Sequence, residues 1–383
     1  MNSTHAPLLY LDYNATTPID PAARKAMLPF LGPDFGNPSS LHALGRRAAQ
    51  AITRAREQVA GLIGAQPSEI IFNSGGTEAI TSAILSAIAD DPTKRHLVTS
   101  AVEHDASIAI FRDLEELGYT ITYLPVDAQG NISLEELENS ITSATALVSL
   151  LWANNETGVI FPIEKIAAIT KQKNISLHVD AVQAVGKIPI NLRAIEIQYL
   201  SLSGHKICAP KGVGALYIHR HLRYTRLLRG HQEERRRGGT ENVASIVGLG
   251  EACQRASERL AGEIPRQAAL RDYFEQSLLN DLVDVQRNGK LEYRLVNTSN
   301  LTFHGIEAES ALMLLDQEGL CCSIGSACSS GSKNPSHVLT AMGLSPAEAR
   351  ASLRFSLGCF TTEAEINRAL EIIPRVITKL RMF

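Results

Sequence analysis

From about residue 46 to residue 216 the chain alternates between two hydrophobic rhythms. "RRAAQAITRAREQVAGLIG" and "TEAITSAILSAIAD" repeat apolar positions three and four apart, which predicts amphipathic helices. "EIIFNSG", "HLVTSAVEH", "TITYLPV", "ALVSLLWANN", "ISLHVDAV", "YLSLSGHK" and "GALYIH" are short β-branched runs that predict strands. Strands interleaved with helices in this way predict an α/β domain, its mostly parallel seven-stranded sheet covered by helices on both faces. Ligands of such sheets lie at the carboxyl ends of the strands, so Ser74, His104, Asn155, Asp180 and His205 become candidates for one cleft.

The rhythm then changes. "ACQRASERLAGEIPRQAALRDYFEQSLLNDL" predicts one or two long helices, with Pro265 marking a bend or a break. After it come "LVNTSNLTFHG", the helix "ESALMLLDQEG", a cysteine-rich stretch, "ASLRFSLG" and a last helix, which together predict a smaller α+β domain. The expected division is a large domain over 16–260 and a small one from 1–15 with 261–383, the latter carrying a cysteine loop at about 323–335.

With 383 residues the chain can bury a substantial core without disulfide support. Its six cysteines form neither a paired C-x-x-C metal pattern nor a secreted framework, which favours free thiols in a reducing compartment. The first residues lack a basic region followed by an apolar block, and the longest apolar run, "ALVSLLWA", is too short to span a bilayer. A cytoplasmic protein is expected. A net charge of −3 gives no electrostatic footprint for nucleic acid or for an anionic membrane.

Three segments carry candidate chemistry. In "SLSGHKICAPKGVG", Lys206 stands at a strand end, either as a solvated loop lysine or as an amine desolvated enough to form a Schiff base. In "ISLHVDAVQAVGK", Asp180 closes an apolar strand, where it either caps the following turn or meets a cation such as a pyridinium nitrogen. In "FNSGGTEAITSAI", a strand runs through Ser-Gly-Gly-Thr into a helix, which is an ordinary capped turn or an anion cradle for a phosphate. Taken together, a phosphate cradle, an acid and an amine on successive strand ends fit pyridoxal 5'-phosphate.

These segments, with "LYLDYNATTP", "FGNPSSLHALGR", "WANNETGVIFPI", "GGTENVASIVGLG", "GSACSSGS" and "PSHVLTAMG", resemble the cysteine desulfurases. Among fold-type I pyridoxal-phosphate enzymes of the class-V aminotransferase family, the chain looks most like the NifS-like, nitrogen-fixation group with a long cysteine loop. The resemblance implies that Lys206 holds the cofactor covalently, Asp180 pairs with the ring nitrogen, Gln183 bonds the ring oxygen and His104 stacks on the ring. It implies a phosphate site of Gly76, Thr77, Ser203 and His205, with Thr240 reaching in from the second subunit of a homodimer. Asn155 would touch the cofactor's ring oxygen and the substrate, and Asn37 and Arg354 would grip the substrate carboxylate, Arg354 bidentately.

The implied reaction removes sulfur from L-cysteine, giving L-alanine and a persulfide on Cys328. Its composition, "GSACSSGS", predicts a flexible segment. The sulfur would pass to a scaffold protein for iron–sulfur cluster assembly, nitrogenase clusters foremost, and Cys328 would be the candidate ligand of a transient [2Fe-2S] cluster. A selenocysteine lyase or a general housekeeping sulfur donor would share the same fold. Cys321, Cys322, Cys253 and Cys359 are expected to be structural, and Cys208 to serve packing. The family commonly carries Gly-Gly-Gln-Glu before its Gly-Thr-Glu-Asn; here "LLRGHQEERRRGGTENV" has an extra Glu and Arg, which leaves the disposition of Arg235, Arg236 and Arg237 open.

Overall fold

The computed structural model describes residues 8–325 and 334–382. In chain order its strands are β1 (Leu9–Tyr10), β2 (Ile70–Asn73), β3 (His96–Ser100), β4 (Thr120–Leu124), β5 (Thr145–Leu151), β6 (Ser176–Asp180), β7 (Tyr199–Ser203) and β8 (Gly214–Ile218). They are followed by β9 (Val285–Arg287), β10 (Thr298–Phe303), β11 (Leu320–Cys321) and β12 (Ser352–Ser356). Seven of them form one sheet in the order β2-β8-β7-β6-β5-β3-β4. Neighbours from β7 to β4 pair in parallel, and β8 runs antiparallel to both β7 and β2. Strands β3, β7 and β8 are buried along their whole length, which explains why they read as continuous apolar runs rather than as alternating ones.

Register delivers the strand ends to one edge. Leu151 lies opposite Asp180, and Asp180 opposite Ser201, so the chain leaving β5, β6 and β7 exits at one level. Ser203 and Asn73 both pair with Gly214. A Cβ on Gly214 would stand 2.7 Å from the Cα of Gly75. Only glycine there lets the Ser74–Gly76 turn approach the sheet edge so closely.

The helix Val243–Asp281 is a single element that contains Pro265, so of the two expected forms the one long helix is the one that occurs. Its two halves are anchored in different places. Ile246, Leu249, Ala252 and Cys253 join the core of the large sheet, whereas Phe274 and Leu278 join a second core. Along the first half, a Cβ on Gly250 would stand 2.5 Å from the Cα of Ala55, a close crossing with the helix Ala43–Ile63. Burial at both ends outweighs the one backbone hydrogen bond that proline forfeits.

That second core gathers Leu301, Phe303, Phe355, Ile366 and Ile373 around the antiparallel sheet β12-β10-β9 and the C-terminal helix Glu363–Leu380. Leu9 and Leu11 join it, with β1 pairing parallel to β11. The C-terminal part is not wholly separate, because Leu295, Val338, Leu339 and Met342 pack into the large core. Among the described residues no helix is long and apolar enough to cross a membrane.

Candidate active site

At the carboxyl edge of the large sheet a cavity of about 220 Å³ is lined by Gly76, Thr77, His104, Asn155, Asp180, Gln183, Ser203, His205, Lys206 and Arg354. Of the five strand-end candidates, His104, Asn155, Asp180 and His205 meet in this cavity, whereas Ser74 lines an adjoining recess at the start of the helix Gly76–Asp90. Asn37 is exposed and does not line this cavity; its Oδ1 accepts from the Ser39 N–H at 2.9 Å. Thr240 is likewise exposed and lines a different recess, beside Phe72, Ser74 and Arg237. Cys328 lies outside the described residues.

Lys206 sits in the one-turn 3-10 helix that follows β7, and its Nζ donates to the carbonyls of Asn14 at 2.6 Å and Ala15 at 2.8 Å. Asp180 is buried at the end of β6, where Oδ1 accepts from the Val182 N–H at 2.9 Å. Burial pushes its carboxyl pKa up, against the pull of that N–H and of His104 and Lys206. His104 caps the helix Asp105–Glu116, its Nδ1 accepting from the Ala106 N–H at 3.1 Å. His205 is pushed down to about 4, by burial first and then by Lys206, so it is neutral near pH 7.

The start of the helix Gly76–Asp90 forms one end of the site. Its N-cap is Gly75 at φ 147°, and no side chain caps it. Glu78, in the first turn, is gripped by Arg237, with Nε 2.9 Å from Oε1 and Nη2 3.1 Å from Oε2. The ion pair offsets a negative charge where an anion would bind. Arg237 is thus tied to the helix start and borders the recess that Thr240 lines, Arg236 Nη1 donates to the Ser68 carbonyl at 2.7 Å, and Arg235 lies at φ 66°. In this segment Glu233 turns inward to a bidentate pair with Arg56 at 2.6 and 2.8 Å.

Three residues that sequence reasoning left without a role organise the site. Asn14 is buried between the two cores: its Nδ2 donates to the Asn155 carbonyl at 3.1 Å and Thr298 Oγ1 at 2.8 Å, and its Oδ1 accepts from Lys187 at 3.0 Å and Asn297 at 3.0 Å. Lys187 also donates to Gln183 Oε1 at 2.5 Å, while Gln183 Nε2 donates to the Asn14 carbonyl at 2.9 Å. Burial, with Lys206 and Arg354 nearby, pushes Lys187 down to about 7. Asp12 holds Arg354, whose Nη2 lies 2.8 Å from Asp12 Oδ1 and whose Nη1 donates to the Asn155 carbonyl at 3.2 Å. The buried Nε of Arg354 has no acceptor among the described residues. Asn14 lies in "LYLDYNATTP" and Lys187 closes "ISLHVDAVQAVGK", so membership of segments that carry the family resemblance is their sequence signal, with no role attached to it.

Residues 9–369 match the family described as Aminotransferase class-V. The chain belongs to that family. Within it, a protein named Cysteine desulfurase from Nostoc sp. is 50% identical, over 98% of this chain and 94% of its own length. Cysteine desulfurase NifS from Azotobacter vinelandii is 47% identical, over 97% and 93% respectively. A solved structure titled NifS-like protein superimposes with a TM-score of 0.92 at 36% identity, covering 97% of this chain and 100% of that one. The chain is thus a NifS-like class-V aminotransferase of fold-type I.

The cavity of this class-V aminotransferase fits the pyridoxal phosphate that the family uses. An uncapped helix start offers backbone N–H groups to a phosphate. The tight seat leaves no room for a side chain at Gly76, where a Cβ would stand 2.9 Å from Val182 Cγ2. Asp180, a buried carboxyl whose Oδ1 accepts from the Val182 N–H, would suit a protonated ring nitrogen, and Lys206 presents an amine to the same cavity.

Proposed function

We propose that this protein is a cysteine desulfurase that takes sulfur from L-cysteine, releases L-alanine and passes the sulfur through Cys328 to an iron–sulfur scaffold, with nitrogenase clusters as the destination. The carrying observation is the convergence of Lys206, Asp180, the uncapped start of the Gly76–Asp90 helix and Arg354 on one cavity. When bound, pyridoxal phosphate supplies an aldehyde for the substrate amine and a ring that withdraws electrons from the substrate Cα.

The chain's own residues do the rest. Gly76, Thr77, Ser203 and His205 hold the phosphate, and Thr240 of a second copy completes it in a homodimer. Asp180 would pair with the ring nitrogen and hold its proton, and His104 would stack on the ring. Arg354, which lines the cavity, binds the substrate carboxylate, and Asn155, whose carbonyl is fixed by Asn14 and Arg354, positions the substrate. Lys206 Nζ takes the Cα proton. The Cys328 thiolate accepts the sulfur, because only a thiolate does this readily near neutral pH. As a thiolate, Cys328 is also the candidate ligand of a transient [2Fe-2S] cluster shared with the scaffold.

The test is incubation of the purified holoenzyme with L-cysteine and dithiothreitol, following alanine and sulfide. Wild type forms both in equal amounts; Lys206→Ala forms neither; Cys328→Ala retains the cofactor's visible absorbance and loses sulfide. Sulfide release by Cys328→Ala at the wild-type rate would remove the loop thiol from the reaction.

A further inference from the structure

A second cavity of about 80 Å³ shares Lys206 with the substrate cavity, and its lining also includes Lys187, Cys208, Arg259 and Cys359. Two thiols face each other in it. Cys208 Sγ stands 3.7 Å from Cys359 Sγ, although the residues are 151 positions apart in the chain. Cys208 follows Lys206 by two residues in the turn after β7, and Cys359 follows β12, the strand that carries Arg354. The contact therefore joins the element holding the cofactor lysine to the element holding the carboxylate-binding arginine.

Both sides of the contact are held firmly. Cys208 sits at φ 63°, an uncommon conformation for a residue with a side chain. It is kept there by its N–H donating to Thr17 Oγ1 at 2.9 Å and its carbonyl accepting from the Asp20 N–H at 2.9 Å. Cys359 follows Gly358, which packs so tightly on Tyr13 that a Cβ would overlap the ring. The Gly358 N–H donates to Thr361 Oγ1 at 2.9 Å, and Arg266 Nη2 donates to the Gly358 carbonyl at 3.0 Å. Two sulfurs brought to this distance by separate frameworks are placed to close to a bonding length of about 2.05 Å with a small movement.

The two thiols are not equivalent. Contact with Cys359, then Thr17 and the charge of Arg259, hold the Cys208 thiol below its ordinary range despite burial. Cys359 is pushed up. Cys208 is accordingly the more readily ionised member, and both residues are partly exposed.

We propose that Cys208 and Cys359 are a reversible thiol–disulfide site, oxidised by hydroperoxides, that ties the Lys206 turn to the end of β12. The Cys208 thiolate attacks one oxygen of the hydroperoxide; the O–O bond breaks, Cys208 becomes a sulfenic acid, and the other oxygen leaves as water or an alcohol. Cys359 Sγ then attacks the Cys208 sulfur, the S–S bond forms, the S–O bond breaks, and water leaves with the Cys359 proton. Two thiols are oxidised for one hydroperoxide reduced.

The test uses holoenzyme carrying Cys328→Ala, so that the loop thiol takes no part, treated with hydrogen peroxide and digested without reductant. The expected result is a linked peptide pair containing Cys208 and Cys359, lost on dithiothreitol treatment. In the same background, Cys359→Ser, or Cys359→Ala if the serine form does not fold, stops at the sulfenic acid, and dimedone labels Cys208. Recovery of both residues as free thiols, oxidation of Cys208 to sulfinic acid without a linked peptide, or dimedone labelling confined to other cysteines would each overturn the proposal.

Discussion

Glu103, next to His104, should set a measurable pH dependence of stability. Its side chain is buried; Oε1 accepts from Ser100 Oγ at 2.6 Å and from the Leu151 N–H at 3.1 Å, while Oε2 has no partner among the described residues. Burial, with the charge of Asp180 adding to it, pushes its pKa up from 4.5 to about 8. Over that window the native state keeps a proton that the unfolded chain has released, so stability falls as pH rises. The contribution is complete below about pH 4.5 and lost through about pH 8, and at about 1.4 kcal/mol per pH unit it amounts to roughly 5 kcal/mol.

His205 and His178, both pushed down by burial, act in the opposite sense below their ordinary range, so the raw stability curve mixes the two. Glu103→Gln keeps an acceptor for Ser100 and Leu151 and removes the titration. Urea unfolding of both proteins, with excess pyridoxal phosphate throughout, isolates the carboxyl. From about pH 5.5 to about pH 7.5 the stability of wild type relative to the variant should fall by about 3 kcal/mol. A difference that stays flat across this range would refute the assignment of a protonated carboxyl.

Other substitutions test the frame of the site. Lys187→Met removes the ammonium that holds Gln183 and Asn14, so kcat/KM for cysteine should fall roughly tenfold. A limb of the pH–rate profile near pH 7 should also vanish, as rates from pH 6 to pH 9 would show. Gly76→Ala forces a Cβ toward Val182 and shifts the helix start, so cofactor affinity should weaken roughly tenfold in a fluorescence titration, about 1.4 kcal/mol. Glu275→Ala strands the buried Arg294, now paired at 2.5 and 2.6 Å, and should cost roughly 3–5 kcal/mol in urea unfolding.

Much of the sheet was legible because strands buried on both faces leave unbroken β-branched runs, and the residues closing them, Asp180 and Lys206 among them, were placed by topology. What escaped reading depends on contacts distant in the chain. Asn14 looks like an ordinary polar residue after a strand until Asn155, Lys187 and Asn297 close around it. Pro265 carries a local signal to break a helix, and two separate cores override it. Cys359 read as structural because nothing within its own segment reports Cys208. Asn37 and Thr240 belong to motifs that the family shares, yet a single chain leaves both exposed.

The helix Val243–Asp281 has a consequence for how the molecule comes apart. At about 1.5 Å per residue its 39 residues form a rod roughly 58 Å long, with one end seated in each core. If either core melts, half of the rod loses the packing that keeps it helical across Pro265, and the other core loses a wall. The two lobes therefore share one cooperative unfolding transition, and a torque applied to the strand bearing Arg354 reaches the lysine side of the cleft through a stiff shaft rather than a loose linker.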